Sequence, residues 1–129
     1  MTFASGEFTV KLVPQDGPSS DTKLGRMTID KEFKGDLEAT SQGEMLSVQT
    51  DVKGSAGYVA LEKVTGKLSG HSGSFVLQHS ATMNRGTPHL SIVVVPDSGT
   101  GELTGLTGTM RIVIVDGQHS YEFDYTLEA

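Results

Sequence analysis

Residues 110–123, MRIVIVDGQHSYEF, decide how this chain folds. Asp116-Gly117 suits a two-residue type I′ turn, because both central positions of that turn need φ > 0. Setting the turn there pairs Val115 with Gln118. Counting outward then pairs Ile114 with His119, Ile112 with Tyr121 and Met110 with Phe123, all on one face. The other face sets Arg111 opposite Glu122, a charge contact worth a few tenths of a kcal/mol up to about 1 kcal/mol. Turn chemistry, apolar pattern and charge pattern agree on a single register.

The same period of two runs along the rest of the chain, and it marks half-buried strands rather than helices. Phe8, Val10 and Leu12 alternate with polar residues, as do Met27 and Ile29. Tyr121, Phe123, Tyr125 and Leu127 continue the hairpin strand. In the segment from Phe75 onward, Phe75, Leu77, His79, Ala81 and Met83 share one face, with a titratable ring where an apolar side chain was due. No convincing amphipathic helix is present. Turn signals divide the chain regularly: PQDGPSSD, FKGD, SQGE, VKGSAG, LSGHSG, MNRGTP, PDSGTG and VDGQ. About eight short, evenly spaced strands result, which reads as an all-β domain spanning 1–129, a single closed antiparallel barrel. Closure removes the exposed edges that invite aggregation.

Composition narrows the function classes. The 129 residues carry 16 acidic and 10 basic side chains, a formal net charge of −6, and no Cys. Absence of Cys excludes disulfides, thiolate metal sites and a Cys nucleophile. The basic residues are scattered, which disfavours nucleic acid, whose binding relies on clustered Lys and Arg. The longest apolar run, SIVVV, falls far short of the roughly 20 residues of a membrane helix. No signal peptide is visible, so a cytoplasmic location and no membrane partner are expected. The spaced glycines of SGTGELTGLTG precede no strand-to-helix transition and make no phosphate cradle. The four His lack metal-ligand spacing, so neither metal nor cofactor is expected.

The inward-facing set is mostly apolar, Met-rich, and carries His79, His119, Tyr121 and Tyr125. Apolar walls with a few convergent polar groups are the make-up of a small-molecule site, and an eight-stranded barrel has room for one small ligand. A lone inward His is ordinarily a core residue with a satisfied hydrogen bond. Tyr121 and Tyr125 ordinarily cap barrel ends with hydroxyls in water. In GYVALEKV the two parities are Tyr58, Ala60, Glu62 and Val59, Leu61, Lys63, and the apolar count slightly favours the second set inside. With the first set inside, Glu62 faces His79 or a Tyr and forms an acid/base pair. Asn84 and Arg85, in the MNRG turn, either form a polar rim or are simply solvated. The candidate pocket residues are thus Tyr58, Glu62, His79, Asn84, Arg85, Tyr121 and Tyr125.

One parity of the strand residues Ile92, Val93, Val94 and Val95 must face outward, as must Val113 and Val115. Two apolar outer faces would form a patch that monomers seldom leave bare, so a homo-oligomer through these strands is expected.

Four long segments, LGRMTIDKEFKGDLEATSQGEML, GSAGYVALEKVTGKLSGHSGSFVLQHSATMNRG, VVPDSGTGELTGLTG and FDYTL, resemble the bacterial family catalogued as domain of unknown function 3224. The resemblance covers essentially the whole chain. It implies a barrel similar to that of allene oxide cyclase, in keeping with the eight strands counted above, and no assigned activity. No residue-by-residue motif of those cyclases is present, and fold alone does not carry function. Two readings follow: a binder of a small, mainly apolar molecule, which as an enzyme would be a cofactor-independent isomerase or cyclase, or a non-catalytic oligomeric module with a packed core.

Overall fold

The computed structural model describes residues 2–15 and 24–127. Eight strands run in sequence order: β1 (Thr2–Pro14), β2 (Gly25–Gly35), β3 (Leu37–Gln49), β4 (Ala56–Leu68), β5 (His71–Asn84), β6 (Thr87–Val94), β7 (Thr107–Val115) and β8 (Gln118–Thr126). Each pairs antiparallel with the next, and β8 returns to β1 to close the barrel. A short 3₁₀ turn at Gly101–Leu103 interrupts the β6–β7 connection.

The register expected for residues 110–123 is the one observed, from Val115↔Gln118 to Met110↔Phe123. Asp116 and Gly117 adopt φ of 52° and 79°. Ser69-Gly70 and Arg85-Gly86 show the same positive-φ pairs and close the β4–β5 and β5–β6 hairpins. The Arg111 guanidinium bonds the Glu122 carboxylate across the outer face.

Two turn expectations need comment. SQGE lies inside β3, not in a turn. A Cβ at Gly43 would stand 2.2 Å from the Leu61 carbonyl oxygen, so Gly serves close strand approach there. PQDGPSSD falls, from residue 16 onward, outside the described residues.

The two ends of the barrel differ. At one end the interior is solid. Phe33, Leu37, Val64, Leu68, Phe75, Phe123 and Tyr125 fill it, with the rings of Phe75 and Phe123 stacked at 5.9 Å. The β6–β7 connection seals this end by inserting Leu103 and Leu106. Its polar side chains hold it along β5: Thr100 Oγ1 and Ser98 Oγ accept the Ser74 and Val76 amides. Each large apolar side chain buried here contributes about 1.5–3 kcal/mol.

At the other end the strands overrun their neighbours. Pairing of β1 with β8 stops at Phe8↔His119, and β6 pairs with β7 only at Val93↔Thr109. Beyond those points Leu12, Leu90 and Ile114 still have inward parity, yet they are 47%, 41% and 60% exposed. Leu12 and Ile114 were expected inside; at this end, the mouth, no strand among the described residues covers them or Leu90, and their parity turns all three toward the lumen. Pro88 sits on β6 where that strand lacks a β7 partner, a position that needs no amide donor.

Candidate functional site

Between the solid end and the mouth lies a layer of polar side chains. Strand parity puts Lys31, Ser41, Glu62 and His79 inside, and all but Lys31 are buried. Lys31 keeps only 7% of its side chain exposed. Glu62 is the hub. Its Oε1 accepts from Lys31 Nζ at 2.9 Å and lies 2.6 Å from His79 Nε2, while Oε2 accepts from the Ser41 hydroxyl at 2.6 Å.

Small residues make this cluster possible. Gly43 is paired opposite Glu62, and its lack of a side chain lets β4 come so close that a Cβ there would stand 2.8 Å from Glu62 Cβ. Ala60 stands opposite His79 and leaves the imidazole room to lean toward Glu62. Lys31 Nζ also lies 5.0 Å from the Phe8 ring centroid and 5.8 Å from that of Phe33, within cation–π range.

Electrostatics keep Glu62 ionised. Burial alone would raise its pKa. The hydrogen bond from His79, the Lys31 ammonium and the Ser41 hydroxyl outweigh burial and hold it at about 2, down from 4.5. The carboxylate therefore fixes His79 with Nε2–H donating, as a buried carboxylate orients a catalytic imidazole. That arrangement leaves Nδ1 as the ring nitrogen for another partner, an acceptor in the neutral ring. Nδ1 has no partner among the described residues, although His79 is only 4% exposed. Among the described residues no fully buried side-chain nitrogen or oxygen lacks a partner. An unpartnered Nδ1 therefore keeps some contact with solvent.

Tyr58 lies one step nearer the mouth, paired with Ala81 and Ser47. Burial, and then the Glu62 charge, push its pKa up, so the hydroxyl remains a donor. Among the described residues it has no hydrogen-bond partner either. A groove of about 380 Å³ at the mouth includes Tyr58, Ala81, Met83 and Leu90 in its wall. That volume falls in the range of small-molecule sites. A larger groove, about 750 Å³, lies on the outer surface over Leu46, Val59, Leu61 and Val76. It touches the Glu62 and His79 positions from behind the sheet, on the side away from their side chains.

The family profile for DUF3224, described as proteins of unknown function, matches residues 4–125. The chain belongs to the DUF3224 family. A crystal structure of a DUF3224 protein of unknown function from Shewanella oneidensis MR-1 superposes with a TM-score of 0.95 at 57% identity, covering 100% of this chain and 98% of that one. No curated protein matches.

In this DUF3224 barrel the seven candidates separate into three groups. Tyr58, Glu62 and His79 converge, and β4 presents the Tyr58/Glu62 parity inward, against the slight apolar preference for the opposite one. Val59 and Leu61 are accordingly exposed on the outer face. Polar partners opposite Glu62 decide the orientation, since three hydrogen bonds compensate its burial. Tyr121 and Tyr125 belong instead to the solid end. The Tyr121 hydroxyl donates to the Lys34 carbonyl at 2.8 Å and accepts the Leu37 amide at 2.9 Å, and that of Tyr125 lies 3.2 Å from Ser69 Oγ. Asn84 and Arg85 are exposed at the β5–β6 turn, on the mouth side, where the Arg85 amide donates to Ser55 Oγ.

Lys31 and Ser41 went unnoticed in the sequence. The signal was present for Lys31: in MTIDKEF it takes the parity of Met27, Ile29 and Phe33, the same anomaly that drew attention to His79. Ser41 carried none. Among the described residues no group of three or more His, Cys, Asp or Glu could hold a metal ion.

Proposed function

We propose that the protein binds a small, mainly apolar molecule in the open half of its barrel, with the molecule's polar end directed to the Lys31–Glu62–His79 layer. One observation carries this reading. Inward-facing apolar side chains stay exposed above a buried polar layer whose His79 Nδ1 and neighbouring Tyr58 hydroxyl have no partners among the described residues. A barrel that needed only a packed core would close over that layer with apolar side chains. Native mass spectrometry of protein purified from the cells that naturally produce it tests the reading. A co-purifying small molecule, released on denaturation, supports it; a bare polypeptide mass, together with no uptake of apolar probes, refutes it.

The Glu62–His79 geometry also favours a second reading, cofactor-independent proton transfer of the kind an isomerase or cyclase uses. An oriented imidazole with a free nitrogen is a competent general base. Solvent deuterium incorporation into a released and re-added ligand would report it.

The outer surface supports self-association. Ile92 and Val94 are core residues, so only Val93 and Val95 of that run face outward. Val113 and Val115 are exposed, and Leu46, Val59 and Leu61 form a second apolar area. We propose a homo-oligomer that covers the Val93/Val95/Val113/Val115 surface.

A further inference from the structure

The chemistry of the polar layer says which head group the site takes. Three kinds of unused capacity converge there. Lys31 Nζ gives one hydrogen bond, to Glu62, and has further N–H groups. The Tyr58 hydroxyl, a donor kept protonated by burial and by Glu62, has no partner among the described residues. His79 Nδ1, an acceptor in the neutral ring, has no partner among the described residues. Lys31 and His79 are tied to the same Glu62 oxygen, at 2.9 and 2.6 Å, so both lie within reach of one small group.

Donors outnumber the acceptor. A carboxylic acid brings the complement, two acceptor oxygens and one proton. An alcohol brings one oxygen and leaves donors unused, and an ammonium finds only Nδ1 and a carboxylate already occupied by three partners.

Charge points the same way. With Glu62 ionised, the Lys31–Glu62 pair is neutral. Adding a carboxylate alone would leave a net negative charge in a largely desolvated layer, which is costly. Protonating His79 at Nδ1 restores neutrality without a new side chain. The other inward titratable groups do not supply this balance. His119 lies beside Phe8 at 5.3 Å between ring centroids, while the Tyr121 and Tyr125 hydroxyls are engaged at the solid end.

We infer that the site takes a monocarboxylic acid with an apolar tail, held as its anion by Lys31 and Tyr58, with one proton taken up on His79 Nδ1. This rests on the binding reading above and narrows it to one ligand class. The tail lies along the exposed lumen residues Leu12, Leu90 and Ile114, and the proton comes from the acid itself or, when the free ligand is ionised, from water.

Calorimetric titration of the intact protein with decanoate and with decan-1-ol, in two buffers of different ionisation enthalpy, tests the inference. At about pH 8, above the range in which histidine ordinarily changes charge, decanoate should bind with uptake of about one proton per molecule. ¹⁵N spectra should show His79 Nδ1 passing from acceptor to protonated on the same titration. His79→Gln should abolish the uptake; where that variant does not fold, the wild-type proton count and ¹⁵N shift still decide. Decanoate binding without proton uptake, or binding of decan-1-ol but not decanoate, overturns the acid assignment and leaves the cavity reading intact. If neither probe binds, the cavity reading itself falls.

Discussion

Glu62 and His79 meet diagonally. Their strands are paired, yet Glu62 stands opposite Leu77 and His79 opposite Ala60, and the side chains lean across to bring Oε1 and Nε2 within 2.6 Å. Diagonal neighbours on adjacent strands lie within reach of long side chains. This contact joins two polar residues that would each be costly to bury alone.

Glu62→Gln should therefore destabilise the barrel by roughly 3 kcal/mol at neutral pH, in line with breaking a buried pair. The pH dependence carries a sign. The Glu62 pKa falls from 4.5 unfolded to about 2 folded, so its contribution is present above about 4.5 and is lost as pH falls toward 2. Urea denaturation across that window should show wild type losing stability on acidification and the variant losing less.

Tyr121→Phe should cost about 1–3 kcal/mol, because the buried Leu37 amide loses its acceptor. Ligand retention should stay at the wild-type level, since this hydroxyl lies in the solid end. Chemical denaturation and native mass spectrometry on one preparation check both halves of the prediction.

Ile114→Ser should behave oppositely. Ile114 is largely exposed, so stability should move by no more than about 0.5 kcal/mol. Uptake of an apolar probe should weaken several-fold, as a lumen wall is lost. A large drop in thermal midpoint with unchanged uptake would place Ile114 in the structural core instead.

Val115→Asp should disperse the proposed assembly. Light scattering over the micromolar range should give a smaller mass for the variant than for wild type. A monomeric wild-type mass throughout that range would contradict the oligomer.

The fold was legible where local signals agreed. In residues 110–123 turn type, apolar parity and the Arg111/Glu122 pair all select one register, and that register is observed. Gly43 was misread because a glycine beside polar residues signals a turn locally, whereas its reason here is tertiary: the approach of Leu61 and Glu62. The orientation of β4 was ambiguous for a related reason. Counting apolar residues ignores compensation, and Glu62 is inside because Lys31, Ser41 and His79, remote in sequence, are waiting for it. The open mouth was invisible in parity alone, since alternation tells which way Leu12 and Ile114 point but not whether a neighbouring strand extends far enough to cover them.

The central claim is that the open half-barrel above His79 is where the protein holds its ligand. Methyl and imidazole NMR shifts recorded during titration with decanoate test it most directly. The account predicts perturbations at Leu12, Leu90, Ile114 and His79, with the outer Leu46, Val59 and Leu61 methyls unmoved. Perturbations confined to that outer groove, or none anywhere, would contradict it.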